Sequence, residues 1–237
     1  MGTFDFLADV PNEPYTKHGI LRLNRRHGLL IAPYADDFKG ARVLDLGAHD
    51  GRWAYALAEA GAREVIGIEA RQHLIDRFAD YPETAGKQRV DLRRGDFFDV
   101  LEDMVRADER FDIVVLYGIF YHIIEHFRLL KLIQSLGPKA IFVDSEFSTR
   151  RMALIEMRRE RTAQKVNAAP QVPGQDRAVV GFPTARAMEF MGEALGYTTH
   201  WIDAQAVFDG DPTAVKDYFQ DGGTQRRFCI LVPEDAD

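Results

Sequence analysis

The chain has 237 residues, 46% of them hydrophobic and 28% charged. That apolar share is ordinary for a globular protein and excludes a disordered or collagen-like chain; the length suits one generous domain, against a usual ~100–200 residues. Its 30 Lys and Arg against 37 Asp and Glu leave −7 at neutral pH, which disfavours the broad basic footprint of a general nucleic-acid binder. The lone cysteine, Cys229, excludes an intramolecular disulfide and a multi-cysteine metal site. Acidic Asp5 and Asp9 stand where a signal peptide carries basic residues, and Phe6 stands where a myristoylation motif has Ser or Thr. The apolar run from Ile113 to Ile124 falls short of the ~18–20 residues that span a bilayer. The expectation is a soluble, cytoplasmic protein with no membrane partner.

In chain order, a helix is predicted over Ile20–Leu30, then a buried strand over Arg42–Leu46 and a helix over Arg52–Ala60 stopped by Gly61. Glu64–Glu69 is the next strand, Gln72–Asp80 a helix ending before Pro82, Val90–Arg93 a short strand and Phe98–Arg106 a helix. Phe111–Tyr117 is strongly apolar and reads as a strand; Ile124–Leu136 reads as a helix closed by Gly137-Pro138, and Ala140–Val143 as a further strand. Strands and helices alternating at this spacing argue for a parallel sheet covered on both faces. Beyond Ser145 the pattern loosens. Ser148–Thr162 reads as an Arg-rich helix, Asn167–Gly181 as a loop, and Pro183–Leu195 as a helix with Pro183 in its first turn. Tyr197–Ile202 and Arg227–Val232 read as late strands around a polar insert that includes Gly210-Asp211-Pro212 and Asp221-Gly222-Gly223. One domain over 1–237 is expected: a helical extension or lid (1–40), a cofactor-binding core (41–145) and acceptor-side insertions with the last strands (146–237).

The chemistry concentrates in Val43-Leu44-Asp45-Leu46-Gly47-Ala48-His49-Asp50-Gly51, between a predicted strand and helix. Gly47 and Gly51 permit a tight turn and close approach of a ligand, and the helix start suits an anionic group. Glu69 ends the second strand, where a carboxylate can accept hydrogen bonds from ribose hydroxyls. Together these point to a nucleoside cofactor. The pyrophosphate fingerprint G-x-G-x-x-G is missing, which weakens an NAD-dependent oxidoreductase, as does the lack of a Tyr-x-x-x-Lys pair.

The pattern resembles the class I methyltransferases that use S-adenosylmethionine (SAM) and release S-adenosylhomocysteine (SAH), over roughly residues 40–145. That resemblance implies an α/β three-layer sandwich whose seven-stranded sheet is mostly parallel, with the last strand, around Arg227–Val232, antiparallel. It implies cofactor contacts from Asp45, Gly47, His49, Asp50, Gly51, Glu69, Ala70, Asp96, Phe97, Tyr117 and Gly118. Glu69 matches the ribose-binding acid, Asp96 the residue at the adenine amino group, and Phe97 the residue packed on the ring. Leu116–His122 corresponds to the segment lining the transfer site.

An alcohol or ammonium acceptor must lose a proton, and His122 is the first candidate base because it follows the fourth strand at the cofactor end. Asp144 and Glu146 follow the fifth strand and, if it persists that far, share a side and offer further candidates, with helix capping by Asp144 or Ser145 as the plainer role. No metal is assigned. His126 reads as structural, and Cys229 as a packed core residue. The crowded Arg150, Arg151, Arg158, Arg159 and Arg161 suit either an anionic acceptor or a solvated helix with Met152, Ile155 and Met157 facing inward. Arg22, Arg25 and Arg26 either reach a carboxylate near the cofactor or are surface charge; Tyr15 and His18 are lid candidates by the family analogy.

The leading expectation is methyl transfer to a small polar acceptor, anionic in one variant, with a hydroxyl oxygen of a sugar or natural-product-like metabolite preferred. The Gly67-Ile68-Glu69 and Tyr121-His122 contexts also resemble those of a tRNA wobble-uridine carboxymethyl-transferring enzyme, although nucleic acid is disfavoured by charge. A non-catalytic SAM-binding protein is a further alternative, and a homodimer stays open.

Overall fold

A computed structural model describes residues 2–11, 15–164, 167–220 and 222–234. Strands β1 (Arg42–Leu46), β2 (Glu64–Glu69), β3 (Val90–Arg94), β4 (Ile113–Tyr117) and β5 (Ala140–Ser148) run parallel. Next come β6 (Ile155–Arg161), β7 (Arg177–Pro183), β8 (Tyr197–Ile202) and β9 (Thr224–Pro233). The main sheet has the order β3-β2-β1-β4-β5-β9-β8, and β9 is antiparallel to both its neighbours. Six strands therefore point one way and the last in sequence points the other, as the resemblance implied.

Helices α1 (Lys17–Leu30), α2 (Ala35–Phe38), α3 (Arg52–Glu59), α4 (Gln72–Ile75), α5 (Phe97–Arg106), α6 (His126–Ser135), α7 (Ala185–Glu193) and α8 (Ala204–Val207) cover the sheet. Period-two alternation along the strands divides the core. Val43, Val65, Val115, Phe142 and Phe228 pack on one face with α1 and α3 residues such as Leu30 and Trp53. Leu44, Ile66, Val114, Val143 and Cys229 pack on the other, against Leu101 and Met104 of α5, Leu130 of α6 and Met188 of α7. Both faces being buried explains why these strands read as continuous apolar runs.

Three expectations need correction. Ser148–Thr162 is not a helix: β5 continues through Ser148, and β6 pairs antiparallel with β7 in a separate two-stranded sheet. The residues that read as loop from 167 to 181 include the start of β7, and Pro183 ends that strand; Thr184 caps α7 by accepting from the Ala187 N–H at 3.1 Å. The physical reason is β7. Its Ala178, Val180 and Phe182 are buried with Ala168 and Tyr121, so a polar β6 is held by pairing to an apolar partner beyond any local window. Met152 (74% exposed) and Met157 (66%) consequently face outward, not into a core.

Candidate active site

The carboxyl ends of β1, β2, β3 and β4 open into a cavity of about 850 Å³ that Tyr15, α1, the α6 approach and residues 167–171 enclose. A position at strand ends where crossovers diverge is where open α/β sheets bind ligands. At the turn after β1, Gly47 has φ +75°, and a Cβ there would lie 2.9 Å from Ile119. His49, a non-glycine residue, is also left-handed, at φ +56°. Such strain persists only where surroundings hold it. Here the His49 N–H donates to Glu69 Oε2 (3.1 Å), and Arg52 Nη2 lies 2.6 Å from His49 Nδ1. Burial keeps the His49 pKa below its ordinary value against the opposing Asp50 bond, so a neutral ring accepts that Arg52 proton.

Asp50 is fully buried and bonded by Arg52 Nε (2.6 Å) and the Tyr15 hydroxyl. Burial opposes its charge, but the Arg52 guanidinium outweighs it and holds the carboxyl far below the usual range. Asp50 thus ties the N-terminal segment to the glycine turn, and Tyr15 lines the cavity as the lid reading expects; His18 does not line it. Gly51 caps α3 at φ +79°. Asp45 is buried behind the turn with Oδ2 unpartnered, and burial, reinforced by Glu69, lifts its carboxyl to about 7.

Glu69, 4% exposed, has its acceptor positions engaged. The Arg71 N–H (3.0 Å) and Nε (2.7 Å) donate to Oε1, while Arg71 Nη2 (3.3 Å) and the His49 N–H reach Oε2. A carboxylate offers about four lone-pair sites, so a ribose reaching Glu69 displaces the Arg71 guanidinium and keeps the two backbone donors. Asp96 caps α5 by accepting from the Phe98 N–H (2.8 Å), and with Ala70, Phe97 and Phe98 lines the same wall. Tyr117 and Gly118 line the cavity floor, and the Tyr117 hydroxyl donates to the Leu30 carbonyl (3.0 Å).

His122 closes a 3₁₀ turn (Phe120–His122), lines the cavity, and places Nδ1 2.7 Å from Glu160 Oε2 on β6. His126 is a buried structural residue: its ring nitrogens face the Phe120 and Ile124 carbonyls, and burial lowers its pKa to about 4.

Asp144 is reassigned. Its strand does persist to the predicted position, but Asp144 is 0% exposed and does not line the cavity. It accepts from Arg26 Nη2, from Arg226 Nη1 (3.2 Å) and from the Tyr218 hydroxyl (2.7 Å), so it anchors α1 and β9 and caps no helix. Glu146 shares that side of β5, 3.8 Å from Arg226, and also stands outside the cavity lining. Arg22 and Arg25 pair with Asp217 and Asp211.

Sequence reasoning assigned no site role to Arg226, Trp53 and Glu160. Arg226 and Trp53 line the cavity, the Arg26 guanidinium lies 4.9 Å from the Trp53 ring, and Tyr121 lies beneath Arg226 (5.4 Å). Arg226 opens the late apolar strand and could have been noticed there; Glu160 carried no local signal, because only the β6 register brings it to His122.

The fold and this site define a Rossmann-like α/β protein with a cavity at the strand ends whose glycine turn and acid suit a nucleoside. Residues 43–137 match the methyltransferase domain family. Similar folds include the N-terminal domain of EvdMO1 in the presence of SAH and D-fucose (TM-score 0.62, 20% identity, 89% of this chain and 82% of that one). Another is magnesium protoporphyrin IX methyltransferase from Synechocystis with bound SAH (TM-score 0.56, 14% identity, 98% and 94%). Over residues 43–137 the chain thus resembles the methyltransferase domain family, and its fold is that of solved proteins that hold SAH. Among curated relatives, the tRNA U34 carboxymethyltransferase of Marinobacter nauticus is 34% identical over 92 residues, covering 39% of this chain and 27% of that protein. That of Pseudomonas putida is 27% identical over 190 residues, covering 76% and 57%. The chain thus spans between about a quarter and about three fifths of the length of these relatives.

Proposed function

We propose that the protein transfers a methyl group from SAM to a small polar acceptor, with a hydroxyl oxygen of a sugar or natural-product-like metabolite as the preferred target. The observation that carries this is continuity. One cavity joins the turn and acid suited to the nucleoside (Gly47, Glu69, Asp96, Phe97) to an end walled by Tyr121, His122 and Arg226. Its volume falls in the ~300–1,000 Å³ range of small-molecule sites.

SAM supplies an electrophilic methyl group with a good leaving group already in place. The chain's own work is then alignment, exclusion of water and removal of the acceptor proton. Glu69 and the Gly47 turn would hold the ribose and amino-acid end, Phe97 would pack on the base, and Asp96 would accept from the adenine amino group. His122 takes the acceptor proton. Arg22, Arg26 and Arg226 face this end while their partners Asp144 and Asp217 stand behind them, outside the lining, which suits an acceptor with an anionic group. No metal is required by this chemistry. Residues 1–237 act as one domain, with 146–237 supplying the acceptor side.

A second reading is modification of tRNA, favoured by the names of the curated relatives and by exposed cations on the β6–β7 hairpin such as Arg159 and Arg161. Titration calorimetry with SAM, SAH and NADH tests the cofactor: binding of the first two, weakened in Glu69→Ala, is expected, and preference for NADH refutes the proposal. Transfer of labelled methyl from SAM is then compared between hydroxylated metabolites and bulk tRNA. Labelling confined to tRNA, with steeply salt-dependent tRNA binding, replaces the small-acceptor reading with the second one.

A further inference from the structure

We infer that Glu160 is the positioning residue for His122: it fixes the imidazole with the proton on Nδ1, leaves Nε2 as the proton acceptor in the cavity, and makes that state depend on the docked β6–β7 hairpin. The inference rests on the reading of His122 as the base.

An ionised carboxylate only accepts hydrogen bonds. Glu160 Oε2 accepts from the Ala168 N–H at 3.0 Å as well as facing His122 Nδ1 at 2.7 Å. Burial opposes the Glu160 charge, but the His122 contact and the Ala168 bond hold its carboxyl below the ordinary range, so it is an anion. Nδ1 must therefore be the donor. A neutral imidazole protonated at Nδ1 keeps its lone pair on Nε2. His122 is 7% exposed and lines the cavity, and its ring lies 4.0 Å from that of Tyr121, which fixes its plane.

The base is thus assembled from two parts of the chain. His122 comes from the turn after β4, and Glu160 from a hairpin outside the main sheet. The parts are joined at two further points: the Gly181 N–H donates to the Ile123 carbonyl (2.8 Å), and Phe182 packs on Tyr121 (5.5 Å). Gly181 is required by the closeness of this joint, since a Cβ there would stand 2.9 Å from the His126 ring and 3.1 Å from the Ile123 carbonyl. Residues 167–171, between β6 and β7, line the cavity, so the segment that covers the acceptor also carries the Ala168 N–H that holds Glu160. When the acceptor oxygen gives up its proton, the proton arrives at Nε2, and the imidazolium so formed has a carboxylate already at its other nitrogen. Undocking the hairpin removes that carboxylate and exposes the cavity together, which suppresses base action while the site is open.

The test is the tautomer of His122, read by long-range ¹H–¹⁵N correlation on the full chain at pH 8 without cofactor and assigned with His122→Gln. The wild type is expected to show Nδ1–H with a bare Nε2. Glu160→Gln is expected to give a mixture of tautomers and to lower amide protection at Ala168 about tenfold, with Glu160→Asp restoring part of both. SAH affinity, measured in parallel, is expected to stay within about twofold in both variants, since the bonds of Glu160 go to His122 and the Ala168 N–H and neither is a hydrogen-bond partner of Glu69 or Gly47. An Nε2–H tautomer in the wild type overturns the inference without any variant, as does an unchanged tautomer in Glu160→Gln. Absence of SAH binding to the wild type instead refutes the proposed function and leaves the tautomer measurement standing.

Discussion

Asp144→Asn probes the buried charge cluster that ties the N-terminal helix to the sheet. Asp144 is the common acceptor for Arg26, Arg226 and the Tyr218 hydroxyl, and both arginines are less than a tenth exposed. Asparagine keeps the shape but removes the charge and turns a donor toward two guanidinium groups. Breaking a buried pair by neutralising one partner costs ~3–5 kcal/mol, because uncompensated charge is left behind. For a domain of this size, where 1 kcal/mol moves Tm by ~2–4 °C, the expected loss is ~6–20 °C. Glu146→Gln is the internal control. It lies two residues along the same strand, 30% exposed and 3.8 Å from Arg226, and surface-type pairs of that kind are worth ~1 kcal/mol or less. Urea and thermal unfolding of the three proteins at one pH give the comparison. A loss below ~1 kcal/mol for Asp144→Asn, or equal losses for both variants, refutes the reasoning that Asp144 compensates two buried cations.

Other expectations concern the cofactor end and pH. Glu69→Ala weakens SAH binding roughly 10- to 100-fold, the cost of losing a charge-assisted acceptor, with Tm lowered only modestly; calorimetry decides. Arg71→Ala removes the group that competes with ribose for Glu69, so SAH affinity rises or holds, and a tenfold fall shows that Arg71 grips the ligand directly. Burial opposes ionisation of Asp217, but its bonds to Arg22 and Arg226 hold the carboxyl at about 2. With an unfolded value near ~3.9, its stabilisation is complete above that pH and is lost as pH falls toward 2. The urea midpoint is expected to drop between pH 5 and 2.5 in the wild type, with a smaller drop in Asp217→Asn. Tyr15→Phe deletes the hydroxyl bonded to Asp50 and is expected to cost ~1 kcal/mol while raising hydrogen exchange in the segment before α1; unchanged exchange there refutes a tether at Asp50.

Where structure followed local chemistry, the sequence was read correctly. The turn Gly47–Gly51 and Glu69 announced themselves by glycine spacing and by position at strand ends, and α3, α5 and α6 by their apolar stripes. Residues 148–183 failed because the decisive fact lay elsewhere in the chain. Taken alone, Ile155–Arg161 is charged and shows no strand alternation in apolar residues; it becomes a strand because β7 supplies the buried face. Asp144 illustrates the opposite error. The strand was read to end at Val143, one residue before it, and a carboxylate at a strand end reads the same whether it meets solvent, substrate or two arginines brought from 118 residues before and 82 residues after it.

The sequence by itself determined the α/β class, the order of the parallel strands' elements and the glycine turn and acid at the strand ends, because hydrophobic period, glycine conformation and helix caps act within a few residues. Only the tertiary structure decided which charges are buried, what closes the cavity and which partner faces His122. Those outcomes depend on register and on distances between segments far apart in the chain, and electrostatic energy at a buried site is set by the neighbours that folding delivers rather than by the residue's own identity.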